Sequence, residues 1–146
     1  MQFLSLLILF RDGLDDLTAL QAALAQYREP LRQVAPDHLK LGAPVELDVQ
    51  LASESDVLIE SQEIAEFFPQ KDSSAIALCN RRIELSWDMK ADPGLITNLI
   101  GFVEPEVRRL VGKCWTFDPH GGVWFVNGGV KTGHAAAQKS ATLARA

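Results

Sequence analysis

The run Phe3-Leu4-Ser5-Leu6-Leu7-Ile8-Leu9-Phe10 constrains this chain more than any other stretch. A strand sends alternate side chains to opposite faces of its sheet, and here both sets are almost wholly apolar. Such a strand has no wet face and must be buried on both sides. No Lys or Arg precedes the run, and Arg11-Asp12-Gly13 stands where a signal peptide would carry a small-residue cleavage site. The run therefore reads as a buried strand rather than a secretory leader, and a cytoplasmic location is expected.

Two periodicities alternate after it. Leu14, Leu17, Leu20, Leu24, Tyr27, Leu31 and Val34 recur every three or four residues, the apolar stripe of a helix that Asp12 can cap and Pro30 divides. Pro36 to Pro44 reads as a connector. Val45, Leu47, Val49 and Leu51 alternate with Glu46, Asp48 and Gln50, a strand with one solvated face. A helix over roughly 55–68, capped by Ser53 or Ser55, places Val57, Leu58, Ile64, Ala65 and Phe68 on one side. Asp56, Glu60, Glu63 and Glu66 fall on the other side, while Ile59 and Phe67 fit neither stripe well.

Ser74–Cys79 and Arg82–Asp88 read as strands joined at Asn80-Arg81, because Asn tolerates the positive φ of a tight hairpin. Asp92-Pro93 is a helix start, a capping carboxylate followed by Pro at the first helical position. Leu95, Ile96, Leu99, Ile100, Phe102 and Val103 form that helix's apolar face; Pro105 divides it and Gly112 ends it. Lys113–Phe117 and Gly122–Asn127 are strands around the turn Asp118-Pro119-His120-Gly121. The expected fold is α+β: a single domain over residues 1–127, with a mixed or antiparallel sheet and about three helical segments packed mainly on one face. Residues 128–146, Ala-rich and with Leu143 as their one large apolar group, are expected to be a mobile tail.

A chain of 146 residues with 47% hydrophobic and 23% charged residues matches an ordinary globular domain, not a disordered or low-complexity one. No apolar run reaches the roughly 18 residues of a membrane helix, so no membrane partner is expected. The net charge of −5 and the lack of a basic patch argue against nucleic acid. Cys79 and Cys114 have neither metal-site nor redox spacing and read as buried free thiols.

Catalytic signals are sparse. There is no GxSxG, so His120-Gly121-Gly122 reads as a turn rather than an oxyanion loop. Gly128-Gly129-Val130-Lys131-Thr132 lacks the spacing of a phosphate loop. His38, His120 and His134, with Asp37 and Asp118, show no metal-ligand spacing, so neither a metal nor another cofactor is expected. A Cys114 nucleophile with His120 as its base would need neighbouring strands to bring the two together. The chain is accordingly read as a non-enzyme.

Charge is the strongest functional signal. Between Leu41 and Gln70 stand Glu46, Asp48, Glu54, Asp56, Glu60, Glu63 and Glu66 with no Lys or Arg, while the remainder of the chain is nearly neutral. Glu46, Asp48, Asp56, Glu60, Glu63 and Glu66 are therefore the expected contact residues for a basic protein partner, steered by long-range attraction. Immunity proteins, acidic inhibitors of basic nucleases, are similar to such a module as a class, though no motif is shared. A second reading is a small-molecule-binding or enzymatic domain with a pocket near Asp118, His120 and Trp124, the last in a strand apolar on both faces. A third is a homo-oligomeric structural module.

Overall fold

The computed structural model describes residues 2–126 and 130–132. The strands are β1 (Phe3–Phe10), β2 (Leu31–Ala35), β3 (His38–Leu41), β4 (Leu47–Ala52), β5 (Arg81–Asp88), β6 (Cys114–Asp118), β7 (Val123–Val126) and β8 (Val130–Thr132). They form one sheet in the order β2-β3-β4-β5-β1-β6-β7-β8, with every neighbouring pair antiparallel. The helices are α1 (Thr18–Leu24), α2 (Ser55–Phe67), α3 (Ser73–Ile76) and α4 (Pro93–Val111). This is a single α+β domain.

The doubly apolar first strand explains the layering. β1 lies between β5 and β6, and each of its faces is covered. Leu6, Ile8 and Phe10 pack with Leu20 and Leu24 of α1 and with Ile96, Leu99, Val103 and Val107 of α4. Leu9 packs on the reverse side with Ala65 of α2, Ile76 of α3, Phe117 and Trp124. Burying a side chain of this size contributes about 1.5–3 kcal/mol, so stripping either cover would expose several such groups. The helices expected mainly on one face are thus α1 and α4 on the larger core, with α2 and α3 closing a second, smaller one.

Local chemistry overrode the periodicity in several places. Helix α1 ends at Leu24, and the chain after Pro30 is not a second helical half but β2, with Leu31 opposite Leu41. Leu31 and Val34 continued the three-and-four spacing by coincidence; Val34 is exposed on the edge strand. Asp12 does not cap α1. It sits at φ 56° and exchanges two hydrogen bonds with Asn80, its N–H donating to Asn80 Oδ1 and Asn80 Nδ2 donating to Asp12 Oδ1. The connector at 36–44 contains β3. Helix α2 begins after Glu54, with no side-chain cap from Ser53 or Ser55.

Ser74–Cys79 is not a strand either. Ser73 Oγ donates to the Gln70 carbonyl and accepts from the Gln70 N–H, winding the chain into α3. Asn80, spent on Asp12, makes no hairpin. At the start of α4, Asp92 Oδ1 accepts from the N–H groups of Gly94 and Leu95, as its sequence position demanded. Pro105 does not divide α4, which continues to Val111; Gly112, at φ 78°, ends it. Past Asn127 the described backbone is β8, with Lys131 in register opposite Phe125. The remainder of segment 128–146, where a mobile tail was expected, lies outside the described residues, as does His134.

Candidate functional site

A cavity of about 540 Å³ lies between α4 and the sheet. Helix α4 contributes Ile96, Thr97, Ile100, Gly101, Glu104 and Pro105, positions that recur at three and four and so share one face. The opposite wall comes from Leu4 and Leu6 of β1, Trp87 of β5, Thr116 and Asp118 of β6, and Phe125 of β7. The split connection creates this space: β5 and β6 flank β1, and α4 must cross β1 to join them.

Most of the wall is apolar, and its polar groups are few. Glu104, buried, is ion-paired with Arg108 one turn on. Asp118 Oδ1 accepts from the N–H groups of His120 (2.9 Å) and Gly121 (3.2 Å), which folds the β6–β7 turn. His120 Nε2 lies 3.3 Å from Ser5 Oγ on β1. Gly122 completes the turn at φ 65°; a Cβ there would strike the Phe68 ring at 2.7 Å, so only glycine fits. Thr116 is only 6% exposed, and its hydroxyl has no hydrogen-bond partner among the described residues. Pro105 has no N–H to give, so the Gly101 carbonyl loses its helical donor on the same wall.

Of the pocket residues read from sequence, Asp118 and His120 line this cavity and Trp124 does not. Trp124 faces the second core, 1% exposed, its ring 4.6 Å from Phe117 and its Nε1 donating to the Phe68 carbonyl at 2.7 Å. The expected place of Trp124 in the pocket is therefore corrected: it belongs to the second core. Thr116, Glu104 and Gly101 were missed, because their part in the wall depends on α4 lying over β6. Cys114 and His120 are not brought together: Cys114 opens β6, and His120 follows its far end, at least roughly 13 Å along the strand. Burial, and then Glu104, push the Cys114 thiol up to about 11; burial, and then Cys114, push Cys79 up to about 12. Both thiols stay protonated near neutrality and are poor nucleophiles. Among the described residues no three His, Cys, Asp or Glu side chains cluster as metal ligands would, and no helix is long and apolar enough to cross a membrane.

The acidic stretch is divided by the fold. Glu46 meets Arg32 at 3.1 Å and Lys40 at 3.7 Å, and Asp48 meets His38 at 2.6 Å and Lys40 at 3.0 Å. Those partners come from β2 and β3, outside the 41–70 stretch. Glu60 meets Arg82 of β5 at 2.5 Å, and Arg82 also holds Glu84 at 2.7 Å. Asp56, Glu63 and Glu66 are exposed on α2, with no ion pair among the described residues. The six residues thus separate into a compensated set, Glu46, Asp48 and Glu60, and an uncompensated set of three on α2. Comparison with protein-family models, with curated proteins and with solved structures found no match.

Proposed function

We propose that this chain is a small-molecule-binding module whose site is the cavity between α4 and the sheet. The observation that carries this reading is the cavity itself. Ligand sites typically enclose about 300–1,000 Å³, are mostly apolar, and hold a few convergent polar groups. Here Glu104, Thr116, Asp118 and His120 are those groups. The reading as an acidic inhibitor of a basic protein is left with Asp56, Glu63 and Glu66 as its free charges.

The test is calorimetric titration of the full chain with decanol below its solubility limit, against the same titration of Gly101→Phe. A Cβ at Gly101 would meet nothing within 4 Å, so the ring can enter open space without displacing the core. Saturable binding at one site is expected, weakened at least about tenfold in the variant, the equivalent of roughly 1.4 kcal/mol. Absence of binding, or equal binding to both proteins, refutes the assignment.

A further inference from the structure

We infer that the ligand of this cavity is a cationic amphiphile, an apolar amine whose ammonium sits against Asp118 and Thr116. This rests on the cavity-binding reading above and adds the chemistry of the head group.

The polar part of the wall offers unanswered acceptors beside hydroxyls that can accept or donate. Asp118 spends Oδ1 on two backbone N–H groups, while Oδ2 has no donor and the carboxylate has no ion-pair partner among the described residues. The Gly101 carbonyl has lost its helical donor to Pro105. Thr116, more than nine-tenths buried, lines the cavity, and its hydroxyl, which can accept as well as donate, has no hydrogen-bond partner among the described residues. Among the described lining residues there are two carboxylates, the His120 imidazole, whose Nε2 lies against Ser5 Oγ, and no Lys or Arg.

With Glu104 balanced by Arg108, Asp118 still leaves one negative charge unanswered. A carboxylate head would set like charges together and leave Asp118 Oδ2 and the Gly101 carbonyl without a donor. An ammonium supplies three donors and the missing positive charge. Trp87 and Phe125, on the same wall, give aromatic surface suited to a cation's flank. The apolar remainder, Leu4, Leu6, Ile96 and Ile100, takes a hydrocarbon tail.

Three probes of equal chain length separate the terms: decylammonium, decanol and decanoate, each below its micelle concentration and titrated into the full chain near pH 7. Decylammonium should bind about tenfold tighter than decanol, the low end of what a charge-assisted hydrogen bond contributes, and decanoate should bind weakest. Asp118→Asn retains an Oδ1 acceptor for the turn and removes the charge, so the preference for decylammonium over decanol should vanish. Thr116→Val, which keeps the shape and deletes the hydroxyl, gives a second, smaller loss for the amine if the Asn variant fails to fold. Decanoate binding as tightly as decylammonium overturns the inference, as does a preference for the amine that survives Asp118→Asn. If decanol binds and Gly101→Phe blocks it but no amine preference is seen, the head-group inference alone falls. If none of the three binds, the cavity-binding reading falls and takes this one with it.

Discussion

Reversing Glu60 and reversing Glu63 to Lys should have unlike consequences, although the two residues are three positions apart on one acidic helix. Glu63 is exposed with no ion pair among the described residues, so Glu63→Lys should shift stability by no more than about 0.5 kcal/mol. Glu60 Oε1 lies 2.5 Å from Arg82 Nη1, and the Arg82 side chain is only 15% exposed against 41% for Glu60. Burial alone would lower the Arg82 pKa; Glu84 and then Glu60 more than offset it and hold it above its ordinary value. An exposed pair contributes about 0.2–1 kcal/mol, and breaking a buried one costs about 3–5 kcal/mol. This pair is intermediate, and Glu84 keeps Arg82 from being stranded. Glu60→Lys also brings a second cation to a half-enclosed site, so a loss of roughly 1–3 kcal/mol is expected. At about 2–4 °C per kcal/mol for a chain of this size, that is a fall of roughly 2–12 °C in Tm, against at most about 2 °C for Glu63→Lys. Thermal and urea unfolding of both variants, with the charge-swapped double variant Glu60→Arg, Arg82→Glu as a partial rescue, measures the difference. About 1 M salt should narrow it, because the screening length shrinks to about 3 Å. If the two single variants unfold within a degree of each other, the tie between α2 and β5 contributes nothing in solution and the division of the acidic stretch is wrong.

Two further outcomes follow from buried polar groups. Ser61, on the buried face of α2, is fully buried with its hydroxyl unpartnered among the described residues, so Ser61→Ala should raise the urea-derived unfolding free energy by about 1 kcal/mol. The Tyr27 hydroxyl, and then Arg109, lower the Glu106 pKa, so this carboxylate contributes stability above its unfolded value near 4.5 and loses it as pH falls through the folded value. The same bond raises Tyr27 above its ordinary 10, so that contribution is complete at neutral pH and fades only as the solution becomes strongly alkaline. Tyr27→Phe keeps the ring 4.6 Å from Phe102 and should flatten the acid limb of a Tm-against-pH profile; an unchanged limb contradicts the assignment.

What could be read from the sequence was whatever a short stretch decides for itself. The central strand, β4, α2, the Asp92-Pro93 start, the Gly112 stop and the Asp118 turn each carry their own signal within about a dozen residues. Ile59 and Phe67, which fitted neither stripe of α2, are the two exposed apolar residues of that helix. The errors came where a local pattern had two solutions. Leu31 and Val34 satisfy a helical spacing and an edge strand equally well, and Pro30, which removes a donor, tipped the chain toward the strand. Ser74–Cys79 is apolar enough for a strand, but the Gln70–Ser73 bonds start a helical turn and Asn80 is taken by Asp12, 68 residues away.

The candidate site shows the same limit more sharply. Asp118 and His120 stood out because a turn concentrates polar residues, yet nothing local to them reveals that α4 passes overhead and supplies Glu104 and Gly101. Trp124 stood out by its size and belongs to the other face, because β7 alternates and Phe125, not Trp124, shares the side of Thr116. The acidic stretch is the clearest case. Seven carboxylates without a base in 30 residues is a statement about neighbours in sequence, whereas compensation in a sheet is set by neighbours across strands. Register puts Lys40 opposite Asp48, and the crossing of α2 over β5 brings Arg82 to Glu60. A charge count along the chain therefore overstates the free charge of this surface, and an association experiment aimed at a basic partner should reverse Glu63 and Glu66, leaving Glu60 to the fold.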